Sequence, residues 1–458
     1  MKTKTYFLSL LFGIGAPMVP VLSLAATSNH TSIESGSMLT NWIKLAIERD
    51  ASRLQMSAQA QSIQEAGVAS STLMDPKLKF GVGGMPVDSF KFGDDPATNV
   101  SVSLMQQFSR GDTLRLQQQK ADYTAQGLNW SLADRERVIA KSVTNLWLEL
   151  AYAQKAQAIL LSSKTLMSEL ERDISSNYAL GKTETQDVLN AELQVARLDE
   201  KLQANRQLQQ RIQGQLSEWL GDGWLLDIPR IDIESSQNWQ SLDALFSAGM
   251  KTNYYQELAQ HPMLKAIDSV IAGSQTQISI AEQSYKPEFG VEVMYAYRQG
   301  NNMKGEPASD LVSAYLTVDL PLFTDKRQDR MVSAAKYNSV AAKSNKDLVL
   351  VQMNSRVNTL LADRVNLSER KARYDSVLIK QAQARTKAVE RGYENNTARL
   401  VDYIAASNEE LTLDLERWRL ATDLNKSNSE LAYLLDRFDF NFSSIELPSL
   451  QQSPTRNK

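Results

Sequence analysis

The chain has no cysteine and only two histidines in 458 residues. Without cysteine there is no disulfide framework, no thiolate metal site and no thiol nucleophile, so stability must come from packing or assembly. His30 lies in a loose stretch near the start and His261 precedes Pro262 at a helix break. Neither has a partner at metal-ligand spacing, so no zinc or copper catalytic centre and no cofactor is expected. Glycine and proline are sparse, at 20 and 12, and no glycine-rich phosphate loop occurs. Serines are plentiful but lack a nucleophile context, and no triad can be assembled from them. Acids and bases nearly cancel, with a formal net charge of -3 and no long lysine/arginine run. Nucleic acid is therefore not an expected partner. The sequence offers no enzyme.

Long apolar runs are also missing, except at the very start. Met1-Lys2-Thr3-Lys4 is basic, Tyr6 to Val21 is mostly apolar, and Ser23-Leu24-Ala25 supplies small residues. That order reads as an export signal over residues 1–25, with the mature chain beginning at Ala26 or Thr27. No cysteine follows it to carry a lipid. Nothing later is apolar for the ~18 residues that a membrane-spanning helix needs. An exported chain without such a helix is periplasmic, secreted or a β-barrel.

What is present is a duplication. Tyr178-Ala179-Leu180-Gly181-Lys182-Thr183 leads into Asp187-Val188-Leu189-Asn190-Ala191, and 215 residues later Tyr393-Glu394-Asn395-Asn396-Thr397-Ala398 leads into Asp402-Tyr403-Ile404-Ala405-Ala406. Upstream of each copy stand two short alternating segments and then a very long stretch without proline. A repeated unit of this size marks a tandem architecture. The expected organisation is a first repeat over 26–218, a linker over 219–240, a second repeat over 241–440 and a tail over 441–458. The hairpins fall at about 78–106 and 288–321, and the helices that follow them at about 109–218 and 324–436. A helical stretch from Met38 to Val68 opens the first unit.

The segment Val312 to Leu320 shows the strand pattern best. Val312, Ala314, Leu316, Val318 and Leu320 share one face, and Ser313, Thr317 and Asp319 the other. Such alternation makes a sheet with one apolar and one polar face. Four strands cannot close a barrel, but symmetric copies would satisfy their open edges. The alternative is a small sheet packed on the helices of a soluble protein. Ile139, Val143, Leu146 and Leu150 step by four, three and four, and Leu350, Met353, Val357 and Leu360 by three, four and three. That is coiled-coil spacing in helices far longer than the ~11–12 residues of an average one.

Each long helix ends at the repeated tip. Gly181 suits the left-handed position after a helix, and Thr183 with Gln186 reads as a capping box for the returning helix. Asp187 and Asp402 hold equivalent places just beyond. An acid there complements the helix dipole, or gathers by symmetry into an acidic ring at the end of a tube.

This order of elements resembles the TolC-like outer-membrane efflux family over nearly all of the mature chain. The resemblance rests on Leu320-Pro321-Leu322-Phe323 after the second hairpin, on the two tips and on the Asp187-Val188-Leu189-Asn190-Ala191 continuation. It implies a mainly α fold with a small β part. Three chains would close a twelve-stranded β-barrel above an α-helical periplasmic tunnel. Asp75-Pro76-Lys77-Leu78, Met85-Pro86-Val87-Asp88 and Gln107-Phe108-Ser109-Arg110-Gly111-Asp112 are similar to the branch that serves heavy-metal pumps, which implies export of heavy-metal cations. Carried over by residue, the adaptor-contact tips fall on Leu180, Gly181, Lys182 and Thr183 and on Asn396, Thr397, Ala398 and Arg399. The periplasmic gate falls on Tyr393 and Asp402, with Asp187 as the counterpart in the first repeat. Ala405 stands where some members carry a second gating aspartate, and Asn396 where they carry glycine.

The resemblance thus implies a passive homotrimeric duct set in outer-membrane lipid, most of its mass in the periplasm. It would work with a periplasmic adaptor and an inner-membrane transporter of the RND type. The rival readings are a drug-efflux or type I secretion channel of the same fold, and a soluble periplasmic coiled-coil scaffold.

Overall fold

The protein is described here by a computed structural model covering residues 35–223, 238–247, 252–395 and 397–442. The export signal, most of the linker, Asn396 and the tail from 443 onward lie outside the described residues. Among the described residues no helix is long and apolar enough to cross a membrane.

The first unit runs α1 (Ser35–Arg49), α2 (Ala51–Ser70), β1 (Lys77–Gly83), β2 (Asn99–Phe108), α3 (Thr113–Ala179) and α4 (Thr185–Leu220). The second answers with α5 (Gln240–Ser247), α6 (Tyr255–Leu258), α7 (Pro262–Gln283), β3 (Glu288–Arg298) and β4 (Leu311–Asp319). It continues with α8 (Gln328–Arg373), α9 (Ile379–Glu394) and α10 (Leu400–Leu434). The strand-hairpin and long-helix unit is duplicated, and the fold is mainly helical with one small antiparallel sheet.

The opening helical stretch is two helices rather than one. Asp50 takes an extended conformation (φ -69°, ψ 107°) between α1 and α2. Its carboxylate accepts from Arg135 Nε at 3.1 Å and Nη2 at 2.9 Å, so it is committed to α3 and does not cap α2. Contacts of this kind are invisible to local periodicity.

The sheet has the order β1-β2-β3-β4, every neighbour antiparallel. The central pair joins the two units, with Phe108 opposite Phe289 and Val102 opposite Tyr295. One row across the sheet is Phe80, Val102, Tyr295 and Val312; the next is Leu78, Leu104, Val293 and Ala314. This face is apolar apart from Gln106, and Phe80, Val293, Val312 and Leu316 on it are exposed. The opposite face carries rows such as Lys79, Ser103, Met294 and Ser313. Strands β1 and β4 are open edges.

Helix α3 is 67 residues long, on the order of 100 Å at 1.5 Å per residue, and passes through Gly127 unbroken. Its counterpart runs from Gln328 to Glu394 but widens into a π turn at Tyr374–Leu378, between α8 and α9. Around this level Leu160, Leu198 and Leu202 of the first unit pack in an apolar core with Leu411 of α10. At its own π turn the second unit has a polar cluster. Tyr374 donates to Glu416 at 2.6 Å, and Asp375 takes both Lys371 and Arg417 at 2.6 Å.

The expected coiled-coil positions form the seams. Ile139, Val143 and Leu150 are buried in one cluster with α1 and α4, and Met353, Val357 and Leu360 in a second with α5, α6, α7 and α10. Residues after α10 tie the two together, a contact the sequence reading missed. Phe438 packs on both clusters, and Phe440 and Phe442 on the first. Asp436, at φ 51°, forks Arg137 at 2.8 and 3.3 Å. Glu149 on α3 also accepts from Arg419 at 2.8 and 3.0 Å and from Lys426 at 2.5 Å on α10.

His261 is a structural residue. Its Nδ1 accepts from Met263 N–H at 3.2 Å as the cap of α7, and its Nε2–H donates to the Tyr433 carbonyl at 3.0 Å. This arrangement needs the neutral ring, and burial pushes its pKa below the ordinary 6.5 despite Asp134 nearby. The unfolded chain therefore takes up a proton first as pH falls through about 6.5, and stability declines below that point. Thermal midpoints between pH 8 and pH 5 should fall more steeply for the wild type than for His261→Asn, which keeps a capping oxygen. Parallel slopes would remove His261 from the account.

Candidate functional site

The two tips lie at the far ends of the long helices. At the first, Gly181 has φ 72°. Lys182 N–H reaches the Asn177 carbonyl at 2.9 Å and Gly181 N–H the Tyr178 carbonyl at 2.9 Å. These two bonds close α3 in a Schellman motif, which is what the left-handed glycine allows. Leu180, Gly181 and Lys182 are exposed and Thr183 is half-buried.

The expected capping box is not formed. Glu184, not Thr183, is the cap residue of α4, and it makes no side-chain cap bond. The Thr183 hydroxyl instead donates to the Ile174 carbonyl at 3.3 Å. A carbonyl across the turn outcompetes the local partner because α4 starts two residues beyond the threonine. Asp187 lies in the first turn of α4, favourably placed for the helix dipole.

At the second tip the N–H groups of Thr397 and Ala398 both reach the Gly392 carbonyl, at 2.7 and 3.0 Å. A Cβ on Gly392 would stand 2.9 Å from that of Ala398, so the close return needs glycine there. Thr397 and Arg399 are exposed, and Ala398 is half-buried. Arg399 caps α10 at the position equivalent to Glu184. Its Nε and Nη2 lie 3.1 and 3.2 Å from the two oxygens of Asp402. The guanidinium holds the Asp402 carboxyl below the ordinary range.

The residues expected at the gate are brought together only in part. Tyr393 packs with Ile174, Val188, Ala191 and Leu400, which joins the two tips, and stacks on Tyr403 with ring centres 6.3 Å apart. Burial raises the Tyr393 pKa, and the charges of Asp187 and Asp173 add to it. Asp187 and Tyr393 are thus neighbours. Among the described residues, no hydrogen bond or ion pair joins Asp187 to Asp402, and no cation lies within ion-pair distance of Asp187. A groove of about 500 Å³ between α3 and α9–α10 has Tyr403 in its wall. Sequence reasoning placed Arg399 among the tip contacts but missed its pairing with Asp402, whose signal was an opposite charge three residues away.

Among the described residues no group of three or more His, Asp or Glu side chains is placed to hold a metal ion.

No family model matches the chain, and no curated protein was found to match it. Solved structures do match. A membrane protein from Pseudomonas aeruginosa superimposes with a TM-score of 0.74 at 15% identity, covering 87% of this chain and 90% of its own. The outer membrane protein VceC of Vibrio cholerae gives 0.70 at 16% identity over 87% and 96%. The CmeC outer membrane channel of Campylobacter jejuni gives 0.70 at 12% identity over 93% and 94%. Identities this low establish a shared fold, that of the TolC-like outer-membrane channels, and do not single out its heavy-metal branch.

Proposed function

We propose that this chain is the outer-membrane channel of a tripartite efflux pump, passing heavy-metal cations outward through a passive duct. The observation that carries this reading is the sheet. Its apolar face is exposed across all four strands, while the other face is polar. A single chain leaves that apolar surface in water, which soluble proteins avoid at this size. Facing lipid, it needs no cover. Strands of 7 to 11 residues approach or match the length that a tilted strand needs to span a bilayer.

The two edges support closure by copies of the same chain. With four strands alternating in direction, β1 and β4 run antiparallel, so β4 of one copy can pair with β1 of the next in the sheet's own pattern. Three copies make a twelve-stranded barrel, and their long helices continue it as a periplasmic tunnel. The tips at Leu180–Thr183 and around Asn396–Arg399 then face the periplasmic adaptor. Asp187, Tyr393 and Asp402 line the mouth that an inner-membrane RND transporter feeds. The choice of metal as cargo rests on the first-hairpin motifs alone.

Fractionation tests the reading. The mature protein should require detergent for extraction from the outer membrane and should run as a heat-labile trimer. A soluble periplasmic monomer would leave only a coiled-coil scaffold. A deletion strain sensitised to drugs but not to copper, silver, cobalt, zinc or cadmium would keep the channel and replace its cargo.

A further inference from the structure

We infer that Lys77 and Lys79 of three copies form a ring of ammonium groups inside the barrel, which draws small polyanions in and turns bare cations away. The inference rests on the reading of the sheet as one third of a barrel. Within that reading it concerns the form in which the cargo leaves.

Strand β1 alternates, so Leu78 and Phe80 share the apolar face and Lys77 and Lys79 the other. Lys77 stands in a row with Met105, Glu292 and Tyr315, and Lys79 in a row with Ser103, Met294 and Ser313. Where the apolar face meets lipid, these rows face the lumen. Both lysines are exposed, and among the described residues no carboxylate lies within ion-pair distance of either.

Lysine on an open edge strand commonly guards against chance pairing with other strands. That explanation fails in a closed barrel, where β4 of the next copy covers the edge. The next copy supplies no free partner either. The lumen side of β4 carries Leu311, Ser313, Tyr315, Thr317 and Asp319, and Asp319 is already bound by Arg110. The same arginine holds Glu288 at 3.3 Å. Among the described residues, Glu292 is then the one lumen carboxylate of the four strands without an ion pair. It stands two strands from Lys77, roughly 10 Å at the spacing of neighbouring strands. That is about a Debye length at physiological salt, too far to neutralise the lysines.

Three copies thus set six ammonium groups against three carboxylates. An excess of one sign between low-dielectric walls focuses the field and concentrates the opposite ion. Rings of lysine or arginine select anions and phosphates in pores on this principle. A bare divalent cation is repelled at this level, and a metal that travels with anionic ligands is not. The cargo of the duct leaves as a neutral or anionic complex.

The absence of cysteine makes the test direct. In the membrane-inserted protein, Ser313→Cys should react with charged, water-soluble methanethiosulfonates, and Leu316→Cys, on the apolar face, should not. The anionic sulfonatoethyl reagent should outpace the cationic trimethylammonium-ethyl reagent at Ser313→Cys, relative to a free thiol. Adding Lys77→Gln and Lys79→Gln should lower that ratio about tenfold. Inorganic tripolyphosphate should slow labelling by neutral N-ethylmaleimide while the lysines are present and not after their replacement. Each single replacement should give part of the fall, which keeps the test intact if the double variant does not assemble.

A ratio that ignores both lysines, or labelling indifferent to tripolyphosphate, overturns the ring. Labelling of Leu316→Cys in place of Ser313→Cys puts the lysines in lipid and overturns it too. A protein that never enters the membrane fraction defeats the barrel reading, and the ring with it.

Discussion

Val293→Arg is expected to abolish assembly in the outer membrane, while Ser313→Arg leaves it intact. Val293 lies on central strand β3, opposite Leu104 and Ala314 in the exposed apolar face. An arginine facing lipid near the middle of a barrel strand costs about 2–4 kcal/mol. In a symmetric barrel every copy bears that cost. Ser313 points to the other face, opposite Met294. There an arginine meets water and alters the lumen only. The heat-labile oligomer in the membrane fraction reports both. If Val293→Arg assembles and Ser313→Arg does not, the faces have been assigned the wrong way round.

Trp147→Ala carries the second large effect, in stability rather than insertion. Trp147 is fully buried on α3 and meets Trp42 of α1 edge-on, with ring centres 4.7 Å apart. Around it lie α4 and the phenylalanine strap that follows α10. Removing a buried tryptophan side chain costs about 3–5 kcal/mol, since both contacts and filled volume are lost. Denaturant midpoints of the detergent-solubilised protein should drop accordingly, and Trp147→Phe should recover part of the loss. A drop below about 1 kcal/mol would mean that α1 is not held through this residue. The two variants also separate the halves of the molecule: one folds and fails to insert, the other inserts with a weakened waist.

The parts of the fold legible in the sequence are those set by short periods. Val312 to Leu320 alternates because its strand has lipid-ready and polar sides, and no distant contact changes that. Ile139, Val143 and Leu150 step as a seam because α3 runs unbroken over many turns. The parts that were not legible depend on partners far along the chain. Asp50 breaks the opening helix through Arg135, 85 residues on. Thr183 gives up a local capping box for a carbonyl across the turn. The strap of Phe438, Phe440 and Phe442 carries no period of its own. The π turn had a signal that periodicity alone does not convert into geometry: charged residues around Tyr374–Leu378 where the first unit has Ile159, Leu160 and Leu161. At the tips, the helix end at Gly181 followed from its chemistry. The gate assignments followed from resemblance.

The central pair of the sheet has a consequence for the time at which the protein becomes a membrane protein. Strand β2 ends at Phe108 and its partner begins at Glu288. Between them the chain builds two long helices that meet over a short turn, a local contact of the kind that forms fast. The β2–β3 ladder must wait until the second unit has emerged and the loop between them has closed. Until then the strands exist only as hairpins, and a lone hairpin is marginal in water. The broad apolar face is therefore the last surface to appear. The chain acquires its full affinity for lipid only when its own second half has joined the first.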